Sequence, residues 1–213
     1  MGRKPMLTTM AATGMALSMI FAPVSAPDSA PPSGPVTVNV VTVNGSGCPA
    51  GTAAVAVASD NSAFTVTYSQ YLAQAGPQSA PTDIRKNCQL SLRVHVPQGF
   101  TYAIAEADYR GFADLHSGAS GMEQANYYFQ GTSPTARVPH RFSGPFFNDW
   151  ETVDRTDVAA LVFAPCGVDR NLNVNTELRV AAGTSDPSTT SFMTMDSTDG
   201  SVNTIYRFAW KEC

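Results

Sequence analysis

Ten consecutive residues, Asn171 to Val180, constrain the fold more than any other stretch of this chain. Leu172, Val174, Thr176, Leu178 and Val180 fall at every second position, and Asn171, Asn173, Asn175, Glu177 and Arg179 fill the places between. Successive side chains of an extended strand point to opposite faces, so a period of two describes a strand with one face buried and the other in water. On a helix the same residues would scatter around the axis. Cys88–Val96 repeats the pattern, with Leu90, Leu92, Val94 and Val96 inward and Ser91, Arg93 and His95 outward. Shorter runs predict strands at Val36–Val43, Ala54–Ala58, Ala63–Ser69, Tyr102–Tyr109, Gln124–Gln130, Ala136–Phe142, Val158–Ala164, Ser191–Met195 and Thr204–Lys211. Asn44-Gly45, Pro97-Gln98-Gly99, Gly131, Ser143-Gly144-Pro145 and Asp199-Gly200 supply turn chemistry between them. Only Ser69–Ala75 reads as a short helix. Many short strands punctuated by turns predict an all-β fold, an antiparallel β-sandwich of jelly-roll or Greek-key type, with the strand order left open.

The N-terminal residues point to export. Arg3 and Lys4 precede a largely apolar run from Met6 to Phe21, and Val24-Ser25-Ala26 offers small residues to a peptidase. That order predicts a secretory signal peptide over residues 1–26. The apolar run is shorter than the roughly 20 residues a bilayer span needs, and no later segment is apolar enough, so no membrane span is expected in the mature chain. Residues 27–35, rich in proline and serine, are expected to form a disordered leader, and residues 36–213 a single domain. Outside the cell, Cys48, Cys88, Cys166 and Cys213 can pair. Of three connectivities, Cys48–Cys88 with Cys166–Cys213 is favoured. The first bridge would join the loop after the opening strand to the start of the Leu90–Val96 strand. The second would fasten the chain's end to the end of the Val158–Ala164 strand. No C-x-x-C spacing occurs, so disulfides are expected in place of a metal site or redox catalysis, and no cofactor is implied.

Without Arg3 and Lys4 the chain carries 11 Lys and Arg against 17 Asp and Glu, a net charge of −6. Phosphate backbones are held by clustered cations, and no basic run exists here, so nucleic acid is not an expected partner.

Five short motifs recur together in one known family: Gly45-Ser-Gly-Cys-Pro-Ala-Gly-Thr52, Arg85-Lys-Asn-Cys-Gln-Leu90, Asp108-Tyr-Arg-Gly-Phe-Ala113, Pro165-Cys-Gly167 and the terminal Trp210-Lys-Glu-Cys213. With them the chain, from about Asn44 to Cys213, resembles a family of small secreted proteins of fungi and filamentous bacteria, catalogued as a domain of unknown function. The resemblance implies export, a β-rich domain and two disulfides. It assigns no catalytic residue.

Candidate chemistry is sparse. His95, His116 and His140 show no metal-ligand spacing, and no G-x-S-x-G nucleophile elbow occurs. Glu106 and Asp108 share one face of a strand, as paired carboxylates of a glycoside hydrolase could; a cross-strand pair with Arg93 is the simpler account. Asp196-Ser-Thr-Asp199-Gly200 could take calcium, although an Asp-Gly hairpin turn explains it at less cost. Asn44-Gly45-Ser46 is an N-glycosylation sequon. Tyr127, Tyr128 and Phe129 read as strand residues shared between core and surface. The segment Phe142–Asp157 stands out, because Phe146, Phe147 and Trp150 lie among turn formers and acids. Flat rings beside Asp149 suit a sugar-binding surface or a protein hot spot, although rings that plug one end of the sandwich core are the simpler account. The expected function is therefore an effector-like, disulfide-stabilised binding protein. Its partner would be an extracellular host or competitor protein, or a cell-wall polysaccharide, contacted through Phe146, Phe147, Asp149 and Trp150. A secreted carbohydrate hydrolase using Glu106 or Asp108, and a structural surface protein, are the alternatives.

Overall fold

The computed structural model describes residue 1 and residues 29–157, 160–195 and 204–213. The expected signal peptide beyond Met1 and the Asp196-to-Gly200 loop lie outside the described residues. Twelve strands follow one another among those residues: β1 (Thr37–Asn44), β2 (Ala53–Val57), β3 (Ala63–Tyr68), β4 (Leu72–Ala75), β5 (Arg85–His95), β6 (Phe100–Leu115), β7 (Ser120–Phe129), β8 (Val138–Ser143), β9 (Phe146–Arg155), β10 (Asn171–Ala181), β11 (Ser191–Met195) and β12 (Thr204–Glu212). They form two sheets, and every pairing is antiparallel. The first runs β1-β5-β10-β7-β8; the second runs β2-β3-β12-β6-β11-β4, with β9 also on β6. β6 organises the second sheet. At 16 residues it is long enough for β12 and β11 to share one edge while β9 lines the other.

The alternation of β10 is realised. Leu172, Val174, Thr176, Leu178 and Val180 are all buried, facing Phe64, Tyr102, Tyr109, Tyr206 and Met193 of the second sheet across one core. Phe64 and Tyr206 stack at 4.9 Å, and Phe208 sits 5.4 Å from both Phe64 and Tyr102. Each such side chain contributes about 1.5–3 kcal/mol by leaving water. Both expected disulfides are present, with Cα atoms 5.3 Å apart for Cys48–Cys88 and 5.9 Å for Cys166–Cys213. They join residues 40 and 47 apart in sequence, and loops of that length contribute about 4 kcal/mol each in a chain-entropy treatment. Cys48 and Cys88 are buried, whereas Cys166 and Cys213 are exposed.

Four local expectations change. Ser69–Ala75 contains a strand, β4, and no helix: Ala73 and Ala75 enter the core at alternate positions, and β4 pairs along β11. The expected Val158–Ala164 strand is absent among the described residues 160–164. That segment attaches to β6 near Ala164, whose N–H donates to Tyr102 O at 2.9 Å and whose carbonyl accepts from Thr101 Oγ1 at 2.6 Å. Phe142–Asp157 holds the ten-residue strand β9, formed because β6 offers it a free edge. The Pro/Ser-rich leader is laid on the sandwich from Ser29 onward. The Asn61 amide, on a residue at φ 57°, donates to both Pro32 O and Gly34 O at 2.9 Å.

Candidate functional site

Register along β6 divides the aromatic residues near β9 between core and surface. Tyr109, Ala113 and Leu115 point inward, so Arg110, Phe112 and Asp114 point out. On β9 the partners of those outward positions are Glu151, Asp149 and Phe147, and on β11 they are Thr194 and Phe192. The outer face of the second sheet thus carries three phenylalanines on three adjacent strands. Phe112 meets Phe147 edge-on at 5.2 Å and lies 6.0 Å from Phe192. Phe147 is 75% exposed. Asp114 and Asp149 flank the rings, and neither carboxylate is paired among the described residues.

Trp150 belongs elsewhere. It is 4% exposed and packs on Phe142 at 5.5 Å inside the sandwich, which removes it from any contact surface. Its place depends on Gly111: a Cβ there would collide with the Thr194 carbonyl and come within 2.7 Å of Trp150 Cζ2. Phe146 follows the same inward parity, half-buried against Phe142 at 5.8 Å. Of the four expected contact residues, Phe147 and Asp149 are exposed, while Phe146 and Trp150 turn to the core. Phe112 and Phe192 take their place beside Phe147. Sequence reading had the signal for both, since Ser191, Met193 and Met195 alternate with Phe192 as Tyr109 and Ala113 do with Phe112.

Glu106 and Asp108 lie on the same outer face, further along β6. Arg93 is not their partner; it sits in the other sheet. Arg207 donates to Glu106 Oε1 and Asp108 Oδ2, both at 3.0 Å, and Arg155 Nε lies 2.7 Å from Glu106 Oε2. Burial pushes the Glu106 carboxyl up, but the Arg207 hydrogen bond and the Arg155 charge outweigh it and hold the group below its ordinary value. A group held ionised in this way is poorly suited to donate a proton.

A second polar group lies between the sheets. Glu123 of β7 is fully buried, and its Oε2 accepts from Thr152 Oγ1 at 3.1 Å. Burial, and after it the charge of Asp154, push its pKa up to about 8. His140 Nε2 is 2.7 Å from Asp154 Oδ1. Glu123 has no access to solvent, so this cluster joins the sheets and is no opening for substrate. His95 is exposed and His116 half-buried. Tyr127 bonds Thr156 Oγ1 through its hydroxyl at 2.8 Å, Phe129 is buried, and Tyr128 faces out, half-buried. Asn44 is exposed at the end of β1. Among the described residues no cluster of His, Cys, Asp or Glu has the arrangement of a metal site, and no helix is long and apolar enough to cross a membrane.

Fold and bridges define a disulfide-stapled, two-sheet β-protein of the secreted kind. Residues 34–213 match the family described as Domain of unknown function (DUF4360), and the chain belongs to that family. A relative from the fungus Arthroderma benhamiae, named an uncharacterized secreted protein, is 35% identical over 173 residues, covering 81% of this chain and 70% of its own length. The protein is secreted. Among solved structures, the enzymatically active domain of a bacteriophage CBA120 tailspike protein aligns with 84% of this chain at 9% identity and a TM-score of 0.26; the alignment spans 19% of that chain.

Proposed function

We propose that the protein is an extracellular binding protein that holds a neutral polysaccharide on the outer face of its second sheet. One observation carries the reading: Phe147 stays 75% exposed while Phe112 props it edge-on, in a row with Phe192 and between the unpaired carboxylates of Asp114 and Asp149. Leaving a large ring in water forgoes the stabilisation that burial would supply. Aromatic faces carry negative charge density and attract the positively polarised C–H face of a pyranose, while carboxylates accept hydrogen bonds from its hydroxyls. The surface is an open sheet face, which suits an extended polymer better than a small molecule that must be enclosed. An N-glycan on exposed Asn44, if the host adds one, would sit on β1 of the other sheet and leave this face clear.

The test is retention of the purified protein on insoluble β-glucan and chitin. The wild type is retained, whereas Phe147→Ala and Phe192→Ala pass through with unchanged melting temperatures. Equal retention of Phe147→Ala refutes the reading. Capture of an extracellular protein in place of either polysaccharide would assign the same rings to a protein hot spot. Release of reducing ends that Glu106→Gln abolishes would make the protein a hydrolase.

A further inference from the structure

The outer face of the first sheet gathers cations that are dispersed along the sequence. Arg85 on β5, Arg179 on β10, Met122 on β7 and Arg141 on β8 are in direct register, one row across four strands. Strands lie about 4.8 Å apart, so the row spans roughly 14 Å. Like charges placed directly opposite one another, as Arg85 and Arg179 are, destabilise a sheet. Here one buried acid holds them. The Glu177 side chain, 5% exposed, accepts from Arg85 Nε at 2.8 Å, from Gln124 Nε2 at 3.1 Å and from Arg179 Nε. The two guanidiniums are themselves about half exposed, and Glu177 cancels only one of their charges. Arg141 is exposed and makes no ion pair among the described residues. Arg93 and Arg137 face the same way, Arg137 donating to Asn126 at 3.2 Å. Five of the chain's arginines therefore share this face with a single glutamate, in a protein whose net charge is −4.

We propose that this face is a binding site for an anionic polysaccharide whose carboxylates are taken by Arg85, Arg179 and Arg141. A groove of about 420 Å³ runs along the row, lined by these three arginines and Met122. Guanidinium presents paired donors that match a carboxylate bidentately. On the same face Asn87 and Gln124 stand next to the row, and Gln89 and Asn175 one step beyond them, amides that can donate to and accept from sugar hydroxyls. Ile84 and Phe142 also line the groove, but the row itself is cationic apart from Met122, which suits a carboxylated polymer better than the apolar centre a protein partner would require. This site is on the opposite sheet from Phe147 and does not rest on the binding role given to that residue.

Immobilised polygalacturonate tests it, with the whole secreted protein and salt raised stepwise. The wild type is retained at low salt and released as salt screens the contact. Arg141→Ala weakens the affinity about tenfold, the loss of one hydrogen-bonded ion contact, and Arg141→Glu abolishes retention. Both variants keep the wild-type melting temperature because Arg141 supports no other residue, and Phe147→Ala binds polygalacturonate as the wild type does. Failure of the wild type to bind, or undiminished binding by Arg141→Glu, overturns the proposal. Equal retention on immobilised polyglutamate or on DNA also overturns it, by making the face a general polyanion surface. Loss of polygalacturonate binding in Phe147→Ala with none in Arg141→Glu would move the acidic glycan to the aromatic face.

Discussion

Replacing Glu123 by glutamine should change how the stability of this protein depends on pH. Glu123 is a carboxyl with no solvent exposure, and burial followed by the Asp154 charge raises its pKa from 4.5 to about 8. A carboxyl whose folded value exceeds its unfolded value binds its proton more tightly in the native state. Between about pH 4.5 and pH 8 the native protein then holds a proton that the unfolded chain has released, so stability falls as pH rises through this window and levels off above it. At about 1.4 kcal/mol per pKa unit the loss is on the order of 5 kcal/mol, comparable to the whole net stability of many domains. Glutamine keeps the shape and the acceptor for Thr152 but never ionises. Guanidinium unfolding followed by tryptophan fluorescence from about pH 5 to about pH 9, which covers most of this window, measures the effect. The wild-type midpoint should drop steeply while that of Glu123→Gln stays nearly level, the variant becoming the more stable protein in alkali. Below this window Glu106 and Glu177, whose folded values are lowered, act in the opposite sense, and both proteins should lose stability together in acid. Parallel profiles for the two proteins from pH 5 upward would refute the assignment of a neutral buried carboxyl.

Trp150→Ala should destabilise by about 3–5 kcal/mol, since it empties a core site roofed by Gly111; a melting temperature near wild type would show that the indole is not where its burial places it. Mild dithiothreitol under native conditions should open exposed Cys166–Cys213 before buried Cys48–Cys88, as read by alkylation and peptide mass, and equal rates would contradict the burial difference. Asn61→Gly keeps the positive φ but deletes the amide that holds Pro32 and Gly34, so proteinase K should cut within residues 29–35 faster than in wild type; unchanged protection would mean that the Ser29–Trp210 backbone contact suffices.

Alternation is a property of consecutive residues, and whatever depended on it was legible in the chain itself. The inward rows of β5 and β10 and the all-β class follow from spacing, and that four cysteines form disulfides follows from an oxidising compartment; which of the three connectivities forms is fixed by the strands that carry them. What was not legible is which strands become neighbours, because the hydrogen bonds of a strand are satisfied equally well by any partner edge. β9 shows the consequence: its turn-forming and acidic residues read as a loop until β6 supplies an edge, and the edge then sends Trp150 inward and Phe147 outward. The sequence offers Arg93 as a cross-strand partner for Glu106, but the strand order brings Arg207 and Arg155. The row of Arg85, Arg179 and Arg141 is the clearest case. Their sequence separation hides them from any search for a basic run, and only the β5-β10-β7-β8 order sets them side by side. Local periodicity decided which face of each strand meets water; long-range pairing decided which residues share that face.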